Sequence, residues 1–150
     1  YTSKLKRTIQ SVKPFINRGC AFESLDALNE INWGEMEGRQ STPESYADFT
    51  KVVTAWRDGN LAHAIGGGET PINLQERQRK GLEYILSKEN ERQIIIAMHG
   101  RAMRSFLCLM MEYPLNLMDD FDHSNLCLYI IQWNGEKFRI KTANDTSHLL

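Results

Sequence analysis

The strongest restriction on the fold comes from a short apolar run that leads into His-Gly and a second apolar segment. Ile94–Met98 is continuously apolar, which is typical of a strand buried on both faces of a parallel sheet. His99-Gly100 follows it, and Arg101–Tyr113 has a helical pattern that Pro114 ends. This strand–loop–helix unit favours an α/β protein.

Helices and extended segments also occur upstream of this unit. Four elements are predicted there, in the order helix, extended stretch, helix and helix: Ser3 to about Ile16, Phe22–Ile31, Pro43 to Gly59, and Thr70 to about Lys88. Ser3 is a good N-cap for the first helix, which Pro14 interrupts or kinks. Thr70-Pro71 places an N-cap before a proline at the first helical position, which is the preferred order.

A hairpin is predicted near the end of the chain. Leu126–Trp133 and Phe138–Thr142 flank Asn134-Gly135, a strong signal for a tight turn between antiparallel strands. Alternating helices and strands followed by a hairpin predict an α/β fold with a mostly parallel sheet and an antiparallel edge. No repeat or interdomain linker is visible, so we expect residues 1–150 to form one domain.

The charge balance excludes some classes of partner. The 150 residues include 18 Lys+Arg and 19 Asp+Glu, which give a net charge of −1. This balance argues against a protein that binds a nucleic-acid backbone or an anionic membrane through charge. The longest apolar runs are also far shorter than the roughly 20 residues that cross a bilayer. We therefore expect no nucleic-acid partner and no membrane partner.

The spacing of the cysteines and of the possible metal ligands indicates neither disulfides nor a metal site. Cys20, Cys108 and Cys127 have no paired spacing, so we expect packing roles in a reducing, cytoplasmic setting. Carboxylate and histidine residues show no spacing of the kind that metal sites use. The expected chemistry therefore uses no metal and no cofactor.

His99 is the first candidate functional residue. It follows a predicted strand, and ligands of open α/β sheets bind beyond the carboxyl ends of the strands. Gly100 lets the backbone approach a ligand closely, and the unpaired N–H groups of the following helix suit a phosphate. Arg101 and Arg104 add positive charge nearby. The alternative is a surface histidine in an ordinary loop.

Arg7 is the second candidate. An arginine in the first turn of a helix opposes the helix dipole, and its position there makes sense if an anion lies at the helix end. The alternative is a solvated basic face that Arg7 shares with Lys4 and Lys6. Position alone favours the solvated basic face.

Glu30 is the third candidate. It lies between the apolar residues Leu28 and Ile31 at the end of a predicted strand. Partial burial there would raise the pKa of its carboxyl towards the range that a general acid needs. Glu35 and Glu37 lie in the glycine-containing loop that follows, where solvation is expected. Glu30 is thus the favoured acid.

These candidates occur within an ordered set of motifs. The set is S-x-L-x-R, then L-N-E-I-x-W-G-x-x-E-G, G-G-E-T, M-H-G and N-D-T-S-H-L. Its order and spacing resemble the histidine phosphatase superfamily, the phosphoglycerate-mutase-like proteins, over nearly the whole chain. The resemblance implies a three-layer α/β/α fold and transfer of a phosphoryl group from a small phosphorylated substrate through a phosphohistidine, without metal.

The resemblance also implies roles for particular residues. Arg7 looks like the phosphate-binding arginine of the family, Glu30 like its proton donor, and His99 like its second active-site histidine. With Gly100, Arg7 and His99 form the expected phosphate site. The tail that begins at Asn144 resembles that of the small phosphatases, and its His148 is expected to be structural.

One family motif is missing. The family carries R-H-G before S-x-L-x-R, on the first strand, and its histidine is the nucleophile, but no R-H-G occurs in this sequence. We expect the chain to be an N-terminally truncated piece that lacks the first strand and is inactive alone, or the nucleophile to come from elsewhere. The expected activity of the intact protein is phosphomonoester hydrolysis. The alternatives are a mutase-type transfer and an inactive protein that binds a phosphate or a partner.

Overall fold

A computed structural model describes residues 1–149 of the chain. The helices are α1 (Lys6–Ile16), α2 (Pro43–Arg57), α3 (Pro71–Leu86) and α4 (Gly100–Met110). Short 3-10 segments cover Asp26–Leu28, Gly34–Met36, Leu115–Asp120 and Ser147–Leu149. The strands are β1 (Leu128–Trp133) and β2 (Phe138–Asp145). No helix within residues 1–149 is both long enough and apolar enough to cross a membrane.

The first three residues form the middle of a parallel arrangement. On one side, the Thr2 N–H donates to the carbonyl of Glu23 at 3.0 Å, and the Leu25 N–H donates to the Thr2 carbonyl at 2.9 Å. On the other side, the Ala97 N–H donates to the Tyr1 carbonyl at 2.9 Å. Three distant segments are thereby joined in parallel, as the predicted α/β fold requires.

The hairpin prediction is confirmed. β1 and β2 pair antiparallel, and Trp133 faces Phe138 across the last pair before the turn. Gly135 has a φ of +97°, which only glycine adopts readily, and the Asn134 side chain accepts the Lys137 N–H at 2.7 Å. β2 extends to Asp145, beyond the predicted end.

Three predictions for residues 1–31 are wrong. Ser3 is not the N-cap of α1: Leu5 occupies that position, and the Ser3 hydroxyl bonds elsewhere. Phe22–Ile31 is not a strand throughout, because a 3-10 turn begins at Asp26. Carbonyl groups from Asp26 onwards accept hydrogen bonds from the Arg77 side chain of α3 instead of from a neighbouring strand. Pro14 does not interrupt α1, since it lies close to the helix end and removes only one hydrogen bond there.

The predicted burial of Ile94–Met98 on both faces is also wrong. Ile94 and Ile95 are 41% and 46% exposed, although the segment is extended. Among residues 1–149 only the first three residues pair with it, so one edge of the segment has no neighbouring strand. A parallel strand is buried only when neighbours and helices cover it.

The core lies between the helices. Trp56 of α2, Leu74 of α3 and Ala102 of α4 are almost fully buried and pack together with Ile31. Thr70 caps α3 by accepting the Asn73 N–H at 3.1 Å, which confirms the predicted start of that helix. This packing places the start of α4 beside the segment that carries Glu30.

Candidate active site

Arg7 and His99 are in direct contact although 92 positions separate them. Arg7 is the second residue of α1, and His99 immediately precedes α4. The Arg7 Nε–H donates to Nδ1 of His99 at 3.0 Å. The parallel pairing of the first three residues with Ala97 explains this contact, because it puts both helix starts at the same edge of the sheet.

The partners of His99 determine its protonation. Arginine can only donate, so Nδ1 is an acceptor and the ring is neutral, with its proton on Nε2. Nε2 lies 2.8 Å from Oγ of Ser3. Burial, followed by the positive charge of Arg7, lowers the pKa of His99 from its ordinary value of 6.5.

Glu30 binds the start of α4. Its Oε1 accepts the Ala102 N–H at 2.8 Å and its Oε2 accepts the Arg101 N–H at 3.2 Å. The same carboxylate accepts the Ile31 N–H at 2.9 Å. The N-terminus of α4 therefore binds a carboxyl group, and that group comes from the chain itself.

The other two loop carboxylates differ from Glu30. Glu30 is half-buried, whereas Glu35 and Glu37 are exposed, as expected. Glu37 accepts the Trp33 N–H at 2.9 Å within its own loop. Glu30 alone of the three thus reaches α4, and its role as proton donor stays a prediction.

The positive charges of Arg101 and Arg104 are both paired with a carboxylate. Both guanidinium groups form ion pairs with Asp119, Arg104 at 3.2 Å. Arg104 also donates from Nε to the carbonyl of Phe121 at 2.8 Å. The positive charge that these arginines were expected to add near His99 is therefore compensated by a downstream carboxylate.

His123 is a site residue that the sequence analysis missed. A Cβ placed on Gly100 would lie 3.0 Å from Cε1 of His123, so this ring covers the glycine at the start of α4. Burial, followed by the charge of Arg104, lowers the pKa of His123. No local pattern indicates this contact, since 23 positions separate the two residues.

Arg77 is the second residue that was missed. It forms an ion pair with Glu69, with Nε at 2.7 Å from Oε1. Its terminal nitrogens donate to the carbonyls of four residues: Asp26, Ala27, Asn29 and Glu30, at 2.9–3.0 Å. The guanidinium therefore fixes the backbone that carries Glu30. A polar cleft opens here, lined in part by Glu30, Asn32 and Arg77.

The chain is similar to known proteins along most of its length. Residues 1–146 match the model of the histidine phosphatase superfamily (branch 1). A protein of Erwinia tasmaniensis named "Probable phosphoglycerate mutase GpmB" is 28% identical over 137 residues, which are 87% of this chain and 63% of that protein. A metal-independent phosphoserine phosphatase of Arabidopsis thaliana is 25% identical over 82% of this chain and 47% of its own length. The chain thus spans less than two thirds of these relatives.

Solved structures share the fold. A mycobacterial glucosyl-3-phosphoglycerate phosphatase complexed with VO3 superposes with a TM-score of 0.81 at 20% identity, covering 97% of this chain and 74% of that one. The alpha-ribazole phosphatase of Shigella flexneri has a TM-score of 0.78 at 19% identity, covering 96% of this chain and 71% of its own. With the match over residues 1–146, the chain belongs to the histidine phosphatase superfamily.

Proposed function

We propose that the intact protein containing this chain is a phosphomonoester hydrolase that works through a phosphohistidine. The observation that carries this proposal is the Arg7–His99 contact, with the carboxylate of Glu30 on the first turn of the helix that follows His99. The similarity to a metal-independent phosphoserine phosphatase supports hydrolysis without metal.

Arg7 binds the phosphoryl group in this proposal, whereas His99, whose two ring nitrogens already bond Arg7 and Ser3, positions the Arg7 guanidinium. Arg7 is exposed, and its guanidinium makes no second side-chain hydrogen bond within residues 1–149. Its terminal nitrogens therefore remain available for two phosphoryl oxygens. Donors placed where charge develops stabilise the transition state more than the bound substrate.

The nucleophile is not among these 150 residues, because none of them forms R-H-G. A histidine nitrogen from another segment attacks phosphorus, the P–O bond breaks, and Glu30 gives its proton to the departing oxygen. Water then gives a proton to Glu30, and its oxygen attacks phosphorus. The P–N bond breaks and inorganic phosphate leaves. Without that histidine, the 150-residue chain alone turns over no substrate.

The test is hydrolysis of an aryl phosphate by the intact protein in the presence of a chelator. We expect turnover, and a phosphoenzyme labelled from the substrate that is stable in alkali and labile in acid, as phosphohistidine is. His99→Ala should lower turnover by about 10²–10³-fold. His63→Ala, at an exposed position, is the control and should have no effect. Loss of activity with chelator contradicts the metal-free mechanism.

A mutase is the second candidate, because the relatives include a 2,3-bisphosphoglycerate-dependent phosphoglycerate mutase of Cytophaga hutchinsonii, 27% identical over 131 residues. A mutase returns the phosphoryl group to an organic acceptor instead of water. Release of inorganic phosphate in stoichiometric amounts supports the hydrolase, and its absence in the presence of a phosphorylated product supports the mutase. Binding of phosphate without either reaction would indicate an inactive binding protein.

A further inference from the structure

The second nitrogen of the His99 ring contacts one buried hydroxyl group, which in turn contacts another. His99 Nε2 lies 2.8 Å from Oγ of Ser3, and that oxygen lies 2.7 Å from Oγ1 of Thr8. Ser3 is 0%, Thr8 4% and His99 8% exposed, so water does not compete for these bonds.

The direction of each hydrogen bond follows from the donors. Nε2 of His99 carries the ring proton and donates to Ser3, and the Leu5 N–H donates to the same oxygen at 3.1 Å. Both lone pairs of the Ser3 hydroxyl are then used, so its proton points to Thr8. The Thr8 hydroxyl donates in turn to the Leu5 carbonyl at 2.8 Å. Each donor in this series of hydrogen bonds from His99 to the Leu5 carbonyl has an acceptor.

We propose that Ser3 and Thr8 are positioning residues that set the orientation and the tautomer of His99. They hold the proton on Nε2, which leaves Nδ1 facing Arg7. Without the Thr8 hydroxyl, the Ser3 proton loses its acceptor and turns to Nε2. The ring proton then moves to Nδ1, where it opposes the Arg7 N–H and breaks that pair.

The direct test measures the tautomer in the 150-residue chain. Nitrogen-15 NMR of labelled histidine distinguishes the protonated from the unprotonated ring nitrogen. We expect the proton on Nε2 of His99 in the wild type, and on Nδ1 in a substantial fraction of Thr8→Val. Thr50→Val is the matched control, because Thr50 also donates within a helix, to the Tyr46 carbonyl at 2.8 Å, but is exposed. An unchanged tautomer in Thr8→Val overturns the proposal.

A second variant tests the Ser3 contact independently. Ser3→Ala removes the acceptor of the Nε2 proton, which disfavours the charged ring, so the titration midpoint of His99 should fall by about one pH unit. The same NMR spectra measure it, and circular dichroism checks that the variant is folded. A midpoint equal to that of the wild type also overturns the proposal.

The consequence for turnover rests on the proposed function. In the intact protein, Thr8→Val should lower kcat for an aryl phosphate about tenfold, because His99 no longer positions the Arg7 guanidinium for the phosphoryl oxygens. Thr50→Val should leave kcat unchanged. If the wild type hydrolyses nothing, the proposed function fails while the tautomer result stands. If the wild type is active and Thr8→Val has both the wild-type tautomer and wild-type kcat, this inference fails alone.

Discussion

At the scale of single residues, His99 is kept neutral by what surrounds it. It donates to one hydroxyl, accepts from one guanidinium, and is nearly inaccessible to water. A charged ring at this position would have to meet the positive charge of Arg7 without solvation, which is why the pKa of His99 is lowered. Two consequences at this scale can be measured.

The first concerns stability and pH. The unfolded chain protonates His99 near pH 6.5, whereas the folded chain does so only at lower pH. Between these values the unfolded state binds more protons, so the free energy of unfolding falls as the pH decreases below about 6.5. The lowered pKa of His123 acts in the same direction. In urea unfolding, the free energy of unfolding of His99→Gln should fall less between pH 7 and pH 5.5 than that of the wild type. His63→Gln, at an exposed position, should follow the wild type, and an equally steep fall in His99→Gln would exclude this linkage.

The second rests on the proposed function and concerns the proton donor of the intact protein. Glu30→Gln should slow hydrolysis of alkyl phosphates, whose leaving groups are poor, far more than hydrolysis of activated aryl phosphates, which need little protonation. The measurement is a leaving-group series of kcat/KM. Glu35→Gln and Glu37→Gln are the matched controls, since both residues are exposed. The Glu37 carboxylate accepts the Trp33 N–H within its own loop, and the Glu35 carboxylate lies beside Gly66. A steep dependence in either control but not in Glu30→Gln would assign the acid to that residue.

At the scale of elements, the start of α4 and the turn before Glu30 are joined through α3. Glu30 holds the first turn of α4, and Arg77 of α3 holds the backbone on which Glu30 lies. Glu69, just before α3, neutralises Arg77. Two helices and a loop therefore share one network, in which removal of a member leaves polar groups without partners.

Replacement of Arg77 tests this network. Arg77→Met removes one donor from each of four carbonyls and the ion-pair partner of Glu69, so the free energy of unfolding should fall by about 2–4 kcal/mol in urea titrations. The Asp26 carbonyl and the Glu69 carboxylate each keep one backbone N–H donor. Arg79→Met is the control on the same helix: Arg79 is exposed, and its loss should change stability by less than about 0.5 kcal/mol. Equal effects of the two substitutions would show that the network does not stabilise the fold.

At the scale of the whole molecule, the chain exposes more surface than its size requires. Its accessible surface is 9727 Å², about a quarter more than the roughly 7,800 Å² expected for a folded monomer of 17.3 kDa. Apolar side chains contribute to the excess, among them Ile95 beside the parallel segments and Leu128 and Ile130 on β1. An extended apolar edge of this kind invites pairing with another strand.

We expect the 150-residue chain to self-associate as its concentration rises, as measured by sedimentation velocity. Ile95→Lys should reduce the association, because a charge on an open edge opposes strand pairing. Ile72→Lys is the matched control: Ile72 is 42% exposed, close to the 46% of Ile95, but lies on α3. A monomeric wild type, or an equal effect of both substitutions, would contradict this expectation.

The sequence by itself determined the features that depend on neighbouring residues. Asn134-Gly135 specified the hairpin, Thr70-Pro71 specified the start of α3, and the ordered motifs indicated the family. The first two signals act over a few positions, through turn geometry and capping, and the third depends only on the order of short motifs along the chain.

Only the tertiary structure decided how the site is held together. Three features of the site depend on contacts between residues 51 to 96 positions apart. Ser3 bonds His99 instead of capping α1, Glu30 binds the start of α4, and Arg77 holds the turn at Asp26. Such contacts arise when parallel segments and helices close on one another, and a donor then bonds whichever acceptor the closed structure buries beside it. Local sequence preferences carry no information about that choice, because the alternative partners are equally good in the unfolded chain.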